Sequence, residues 1–206
     1  SLHALIFVLF QTQQKLFVFI HYKTIQINYE NNIDNQKFDF LSIANGVLKK
    51  QKSSISWSRG VQYNSDFFSM QKPMSSYLVM MAIGNFEKQT TTTKSGTPLE
   101  FYLDEKDYSK FEPTYRYSKE LFDYLEGEIG VKYPWGIYRQ VPVRDFLCAG
   151  MENTTSTIFA QDFVVDSIGF NDRNYVNVNA HELAHQWFGD LITAQSGKHH
   201  WLQEGF

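Results

Sequence analysis

The sequence predicts an α+β fold in which a β-rich part precedes a part that mixes helices and strands. Residues 1 to about 87 are rich in β-branched and aromatic residues, as in the segment LFVFIHYKTIQINYE, and polar stretches such as ENNIDNQ separate the strands. From about residue 112 the apolar residues follow helical spacing instead. With 206 residues, 43% of them hydrophobic, the chain is long and apolar enough to bury a substantial core.

The β-rich part contains three further signals. The apolar stretch LHALIFVLF, residues 2–10, is too short to span a bilayer and is predicted to be a buried strand. A second apolar run, PMSSYLVMMAIGNF, is bounded by turn-forming residues. It is followed by TTTTKSGTPLEFYL, in which Lys94, Ser95 and Gly96 are predicted to turn one strand into the next. We place the domain boundary after this turn, which gives domains of residues 1–97 and 98–206 and leaves residues 1–40 without a specific position.

The second part begins with a predicted helix of about four turns. Pro113 stands in its first turn, where a missing N–H is tolerated, and Gly130 is a plausible stop. The segments YPWGIYRQVPV and STIFAQDFVVD return to strand-like composition, with CAGMENTT between them. From about residue 174 the pattern is helical again through Trp187 and Phe188, and Gly189 is predicted to end that helix. In the first of these two predicted helices, the residues at helical spacing are Tyr117, Leu121, Tyr124, Leu125 and Glu128.

Composition excludes several classes of partner. The formal net charge is only −3, and the Lys and Arg residues are scattered, so neither a nucleic-acid-binding face nor a polybasic membrane anchor is expected. No segment has the length of a transmembrane helix. The one cysteine, Cys148, cannot form a disulfide within the chain, and with no base beside it in the sequence we expect a packed thiol, not a nucleophile.

The segment NAHELAHQWFGD carries the strongest chemical signal. On a helix, His181 and His185 are four residues apart and project from the same face, so their rings can bind one metal ion. Zn²⁺ held by two imidazoles leaves room for a carboxylate and one water, whose pKa the metal lowers to about 7. Glu182, beside the first ligand, can accept the proton of that water. The pattern therefore predicts one zinc ion per chain, with Glu182 as the general base.

The residues alone leave alternatives open. HExxH also occurs on surface helices with solvated histidines, although the apolar neighbours Trp187 and Phe188 argue against a solvated face here. The metzincin pattern is excluded, since it requires glycine and histidine where the chain has Phe188 and Leu191. A second helix must then supply the third ligand, and spacing does not choose among the candidates, which are His199, His200 and Glu204. For His199 and His200, the more typical interpretation is that they are polar residues at a helix start and not metal ligands.

Two motifs together give the chain a resemblance to the M1 family of zinc aminopeptidases, a branch of the gluzincins. The zinc signature of that family is HExxH followed by eighteen residues and a glutamate, and residues 186–203, between His185 and Glu204, number eighteen. Its other signature, GxMEN, is similar to AGMEN at residues 149–153. KPMSSYLV and YPW are also similar to the family, so the resemblance covers roughly residues 41–206.

The resemblance implies a fold and a role for individual residues. Residues 1–97 would be the end of a β-rich N-terminal domain, and residues 98–206 the first half of a thermolysin-like zinc peptidase domain. Glu204 would be the third zinc ligand beside the two histidines, and Glu182 the general base. Glu152 would bind the free α-amino group of a peptide substrate, which restricts cleavage to the N-terminal residue.

The same resemblance places Ala149, Gly150, Met151 and Asn153 along the substrate as part of an edge strand. The first glycine of the family motif is Ala149 here, and its methyl group narrows the approach to the substrate backbone. In the family a tyrosine that helps hold the oxyanion follows the third ligand, beyond residue 206. We therefore interpret the chain as a fragment of a metallo-aminopeptidase.

Two alternative functions follow from the same residues. The chain can belong to another gluzincin hydrolase, an endopeptidase or an epoxide hydrolase, because HExxH with a distant glutamate does not define the substrate. The AGMEN motif argues against an endopeptidase. The second alternative is a noncatalytic interaction module on the same fold, against which the intact set of His181, Glu182, His185 and Glu204 argues.

Overall fold

The computed structural model describes residues 7–9, 16–21, 23–32, 40–172 and 174–205. Within these ranges the fold is a mixed α+β fold, as predicted, and the part of the stretch 2–10 that is described forms a strand. The strands are β1 (Phe7–Leu9), β2 (Leu16–His21), β3 (Thr24–Asn32), β4 (Leu41–Ala44), β5 (Val47–Ser56), β6 (Val61–Ser69), β7 (Met80–Gly84), β8 (Phe86–Thr92), β9 (Pro98–Asp104), β10 (Tyr138–Val143), β11 (Gly150–Met151) and β12 (Ser156–Ala160). The α-helices are α1 (Phe111–Tyr115), α2 (Ser118–Ile129), α3 (Gly169–Asp172), α4 (Val176–Ala184) and α5 (Trp201–Glu204).

The described strands form three sheets. An antiparallel sheet has the order β2-β3-β6-β5, and a smaller sheet has the order β1-β7-β4, in which β1 is parallel and β4 antiparallel to β7. The third sheet has the order β11-β12-β10-β9-β8. Its central strands β9, β10 and β12 are parallel, while β8 and β11 run antiparallel at its two edges. The short strand β11, which carries part of the AGMEN motif, is therefore an edge strand.

The turn between β8 and β9 lies where the sequence predicts it. The Thr93 N–H donates to the Thr97 carbonyl at 3.0 Å, and Gly96 adopts a φ of +94°, which favours glycine. Both strands that the turn joins belong to the third sheet. The predicted boundary between residues 97 and 98 thus lies at a hairpin within one sheet, and the division into two domains stays a prediction.

The first helical segment differs from its prediction, because α1 and α2 are separate helices. Tyr117 between them has φ and ψ of −109° and 3°, outside helical geometry. The break follows from tertiary contacts: Ser118 is buried with its hydroxyl donating to the Gln140 side chain at 3.0 Å, and the Arg116 guanidinium lies 4.6 Å from the centre of the Phe170 ring. The predicted stop is confirmed, since Gly130 ends α2 in a left-handed conformation.

An aromatic core packs α2 and β10 against Trp187, in the turn after α4. The fully buried Phe122 ring lies 5.0 Å from Tyr133, 5.8 Å from Tyr138 and 6.1 Å from Trp187, measured between ring centres. The Trp187 indole N–H also donates to the Val131 carbonyl at 2.9 Å. Rings of this size dominate the energetics of a core, so they fix the histidine-bearing helix against the sheet. No helix in the described ranges combines the length and apolarity needed to cross a membrane.

A buried ion pair joins the third sheet to the turn after β4. The Arg139 Nε donates to the Glu100 carboxylate at 2.6 Å, and its Nη1 donates to the carbonyls of Gly46 and Ala44 at 2.7 and 3.2 Å. The guanidinium is buried, so its charge has to be compensated. Burial acts to raise the pKa of Glu100, but the charge and hydrogen bonds of Arg139 outweigh it and lower this pKa below its ordinary value.

We predict that Glu100→Gln lowers the free energy of unfolding at pH 7 by about 3 kcal/mol, since it leaves a buried guanidinium without its counterion. The lowered pKa of Glu100 gives a stabilisation that is present above the unfolded-state value of about 4.3 and is lost as the pH falls through the lower folded value. The stability difference between wild type and variant should therefore shrink below about pH 4. Urea denaturation at pH 7 and pH 3.5 measures both effects.

Glu112→Gln is the matched control, because Glu112 pairs with Arg116 on the exposed surface. This variant should leave the free energy of unfolding at pH 7 close to that of the wild type. Equal stabilities of Glu100→Gln and wild type at pH 7 would contradict the assignment of a structural ion pair.

Candidate active site

The two histidines of the HExxH motif are brought together at the end of α4. Buried Asn179 fixes this helix, since its side chain accepts from the Gln140 amide at 2.6 Å and donates to the Ser118 hydroxyl at 2.9 Å. The Nε2 atoms of His181 and His185 lie 3.1 Å apart. The His185 Nδ1 is 3.0 Å from the Phe188 carbonyl, which can only accept, so Nδ1 carries the proton and Nε2 keeps its lone pair free to bind a metal.

The helix ends earlier than the sequence predicts, at Ala184 instead of Phe188. After His185 the backbone tightens over two residues, because the N–H groups of Gln186 and Trp187 donate to carbonyls three residues earlier, at 3.1 Å each. His185 still has helical dihedral angles, with φ and ψ of −57° and −25°. The one-face arrangement of the two histidines therefore survives the early end.

Of the three candidates for a third ligand, Glu204 lies beside the two histidines. Its Oε2 is 3.5 Å from the Nε2 of His181 and 3.8 Å from that of His185. His199 is exposed instead, and the His200 ring packs near Tyr77, with 5.7 Å between ring centres. Ligand atoms about 2.0–2.1 Å from a tetrahedral Zn²⁺ stand roughly 3.3 Å from one another. The donor atoms and their spacing of 3.1–3.8 Å therefore fit a zinc ion.

The Glu182 side chain projects from α4 and is buried between this helix and the AGMEN segment. Burial, and then the negative charges of Glu152 and Glu204, raise the pKa of its carboxyl to about 8. Its Oε2 is buried without a hydrogen-bond partner among the described residues. A buried carboxyl that faces two further carboxylates is an environment that favours a bound cation. This carboxyl is thus adjacent to the candidate metal ligands, as its position in the motif predicts.

Gly150 makes room for the Glu182 side chain. A Cβ atom built on Gly150 would lie 2.6 Å from Cδ and 2.7 Å from Cγ of Glu182, well inside van der Waals contact. The helix and the edge strand can approach this closely only because the residue has no side chain. The position of Glu182 therefore explains why the AGMEN motif has a glycine, and no larger residue, at position 150.

The rest of the AGMEN segment borders the same site. The Gly150–Met151 strand pairs with β12, and the Ala149 carbonyl accepts from the Ala160 N–H at 3.0 Å. On its other side, β11 has no partner strand in the described part of the chain. Glu152 follows directly and is 7% exposed. One edge of β11 is therefore unpaired in the described part of the chain, and the Glu152 carboxylate belongs to the next residue after this strand.

The Asn153 side chain is buried in the protein interior and forms a hydrogen bond there. It is fully buried, and its Nδ2 donates to the Leu78 carbonyl at 3.2 Å. This contact anchors the turn after Glu152 to the N-terminal part of the chain. The direct role of Asn153 in substrate binding stays a prediction.

Sequence reasoning missed three buried polar residues beside the site: Gln186, Asn45 and Asp190. The Gln186 amide donates to the Glu152 carbonyl at 3.0 Å and accepts from the Thr155 N–H at 2.9 Å, so it holds both ends of the turn after Glu152. Burial raises the pKa of the Asp190 carboxyl well above its ordinary value, and nearby Glu152 adds to this rise. One signal for Gln186 was available, namely a polar residue between the candidate ligand His185 and the core aromatics.

The expectation of a packed thiol at Cys148 is wrong. Cys148 is exposed, in the loop that precedes β11. The loop around it is exposed as well, since Leu147 is also almost fully accessible. Phe146 and Leu147 precede Cys148 directly, so apolar neighbours in the sequence do not predict burial in this loop.

Comparison with known proteins agrees with the geometry of the site. Residues 114–206 match the family model of the peptidase family M1 domain. Glutamyl aminopeptidase of Bos taurus is 30% identical over 176 residues, which are 82% of this chain and 18% of that protein. The chain belongs to peptidase family M1.

Other M1 relatives are similarly distant. Glutamyl aminopeptidase of Sus scrofa is 32% identical over 143 residues, 68% of this chain and 15% of that protein. Endoplasmic reticulum aminopeptidase 2 of Bos taurus is 32% identical over 145 residues, again 68% of this chain and 15% of the relative. The chain thus spans 15–18% of the length of these relatives.

We predict that Gly150→Ala lowers the free energy of unfolding by about 1–3 kcal/mol, because the new methyl group overlaps the buried Glu182 side chain. Gly127→Ala is the control: Gly127 lies within α2, and a Cβ there would meet nothing within 4 Å. Replacing a helical glycine by alanine should raise stability by about 0.5–1 kcal/mol. Urea denaturation of both variants measures the contrast, and equal effects of the two substitutions would contradict close packing of Glu182 on Gly150.

Proposed function

We propose that the chain forms part of a zinc aminopeptidase, which hydrolyses the N-terminal residue from peptides. The observation that carries the proposal is the meeting of His181, His185 and Glu204 beside the buried Glu182 and the Glu152 carboxylate. Family membership supports a peptide hydrolase, and the named relatives are aminopeptidases. Residues 98–206 would be the beginning of a thermolysin-like catalytic domain, and residues 1–97 the end of a β-rich domain before it.

His181, His185 and Glu204 would hold one Zn²⁺. When bound there, the ion would act as a Lewis acid and lower the pKa of a water molecule. The contact of the His185 Nδ1 with the Phe188 carbonyl is consistent with this role, since it leaves Nε2 as the ring nitrogen that faces the other proposed ligands. Glu204, partly exposed in α5, would complete the set with a carboxylate oxygen.

Glu182 would serve as the general base. Its carboxylate would remove a proton from the attacking water and deliver it to the nitrogen of the leaving peptide. Its position supports this role, because Glu182 follows His181 directly and its side chain lies against Gly150, beside the proposed ligands. Gly150 would contribute indirectly, by leaving the space that this side chain occupies.

Glu152 would select the N-terminus of the substrate. Its carboxylate would accept hydrogen bonds from the α-ammonium group of a peptide, and only the first peptide bond would then reach the attacking water. The substrate backbone would pair with the open edge of Ala149, Gly150 and Met151. The partners would be peptides with a free N-terminus.

The experiment compares hydrolysis of a free peptide and of its N-acetylated form by a complete M1 peptidase that carries this segment. The intact protein should cleave the free peptide at least 10²-fold faster, since acetylation removes the charge that Glu152 is proposed to bind. Glu152→Gln should lower kcat/KM for the free peptide by about 10²-fold and reduce this discrimination. Steady-state kinetics on both peptides gives these ratios.

Glu120→Gln is the control, because Glu120 lies on α2, outside the candidate site. It should keep both the rate and the discrimination of the wild type. Equal rates on free and acetylated peptides by the wild type would overturn the aminopeptidase proposal and favour an endopeptidase. Hydrolysis of an epoxide, with no cleavage of either peptide, would overturn it in favour of the other gluzincin activity.

A further inference from the structure

Gln203, the residue before the proposed ligand Glu204, is tied to two distant parts of the chain. Its Oε1 accepts from the Ala194 N–H at 2.7 Å, and its Nε2 donates to the Tyr77 hydroxyl at 3.3 Å. Gln203 is 4% exposed. Both ends of a buried amide are thus bonded, one to the loop after α4 and the other to the N-terminal part of the chain.

The helix that carries Glu204 depends on such contacts. It is only four residues long, and a helix this short is not stable in isolation. Two of its residues, Trp201 and Leu202, are 66% and 47% exposed, and Glu204 is exposed as well. Gln203 is its one buried residue, so the position of α5 rests on the hydrogen bonds of that side chain.

Tyr77 lies in a short 3₁₀ turn, Ser76–Leu78, that contacts both halves of the candidate site. Its ring packs near His200, directly before α5. The carbonyl of Leu78, in the same turn, accepts from the side chains of Asn45 and Asn153 at 3.0 and 3.2 Å. The turn therefore links the position of α5 to that of the segment with Glu152.

Gly189 brings the Gln203 amide close to a proposed metal ligand. A Cβ built on Gly189 would lie 3.1 Å from the Gln203 Nε2 and 3.2 Å from the His185 Nδ1. Gly189 has a φ of +143°, which also favours glycine. The Gln203 side chain and the His185 ring are thus held next to the same small residue.

The Tyr77 hydroxyl is suited to accept from Gln203. Burial raises its pKa, the hydrogen bond from Gln203 opposes the rise, and the nearby charges of Glu152, Asp190 and Glu204 add to it. The hydroxyl therefore stays neutral near pH 7. It accepts a hydrogen bond from the Gln203 amide at 3.3 Å.

We propose that Gln203 and Tyr77 are positioning residues of the metal site, which fix α5 so that Glu204 faces His181 and His185. The inference rests on the proposed function, since it takes these three residues to be the zinc ligands. It makes the N-terminal β-rich part of the chain a structural component of the metal centre. Removing either hydrogen-bonding group should weaken metal binding without removing a ligand.

The test measures the zinc affinity of the folded chain by competition with a chromophoric chelator. Gln203→Met, which keeps the side-chain length, and Tyr77→Phe, which keeps the ring, should each weaken zinc binding about 10- to 100-fold. The visible spectrum of the Co²⁺-substituted protein should change in both variants, because the carboxylate ligand is displaced. The thermal midpoint measured without metal separates this effect from a general loss of stability.

Two exposed residues supply matched controls. Gln89→Met and Tyr124→Phe make the same chemical changes on β8 and α2, and both should keep the wild-type affinity and Co²⁺ spectrum. If Gln203→Met fails to fold, Tyr77→Phe alone still decides the inference, since it removes a single oxygen atom. Zinc affinities of folded Tyr77→Phe and Gln203→Met within twofold of wild type would overturn it.

A double-variant cycle shows whether Gln203 acts through Glu204. Glu204→Ala should weaken zinc binding, and adding Gln203→Met to it should cause no further loss if the only effect of Gln203 is to position that ligand. A further tenfold loss in the double variant would overturn the positioning role. Absence of zinc binding by folded wild type would instead overturn the proposed function, and this inference with it.

Discussion

The pairing of buried backbone groups in the turn after Glu152 is the constraint on which the rest of the site depends. Three of these groups, the Glu152 and Thr154 carbonyls and the Thr155 N–H, are paired by side chains. Gln186 bonds the Glu152 carbonyl and the Thr155 N–H, and Asn45 donates to the Thr154 carbonyl at 2.7 Å. These partners are far apart in the chain, since one belongs to the histidine motif and the other to the turn after β4. The backbone at Glu152 is therefore held in place by tertiary contacts.

The same contacts connect the candidate metal site to the carboxylate proposed to bind the substrate amine. Gln186 follows His185 directly, so the element that offers the histidines also holds the backbone of the carboxylate proposed to bind the substrate amine. Glu182 lies between them, against Gly150. A shift of α4 would thus move the two candidate histidine ligands, the proposed base and the proposed amine-binding group together. Groups held in this way keep their relative positions, so substrate binding does not require a large rearrangement of the protein.

Local patterns in the sequence predicted the features that depend on local physics. Gly96 marks the β8–β9 turn and Gly130 the end of α2, because both positions need backbone dihedrals that favour glycine. The four-residue spacing of the histidines likewise predicted their common face. The break before α2, the early end of α4 and the exposure of Cys148 could not be predicted, since each depends on contacts with distant residues. The resemblance to a family singled out Glu204, which spacing alone left open among three candidates.

The central claim is that this fold brings two imidazoles and one carboxylate together to bind zinc. The zinc K-edge X-ray absorption spectrum of the folded chain, loaded with one equivalent of Zn²⁺, tests it most directly. The account predicts a first shell of nitrogen and oxygen at about 2.0–2.1 Å, with outer-shell scattering from two imidazoles and no sulfur. A spectrum without imidazole scattering, or with a sulfur shell near 2.3 Å from exposed Cys148, would contradict it.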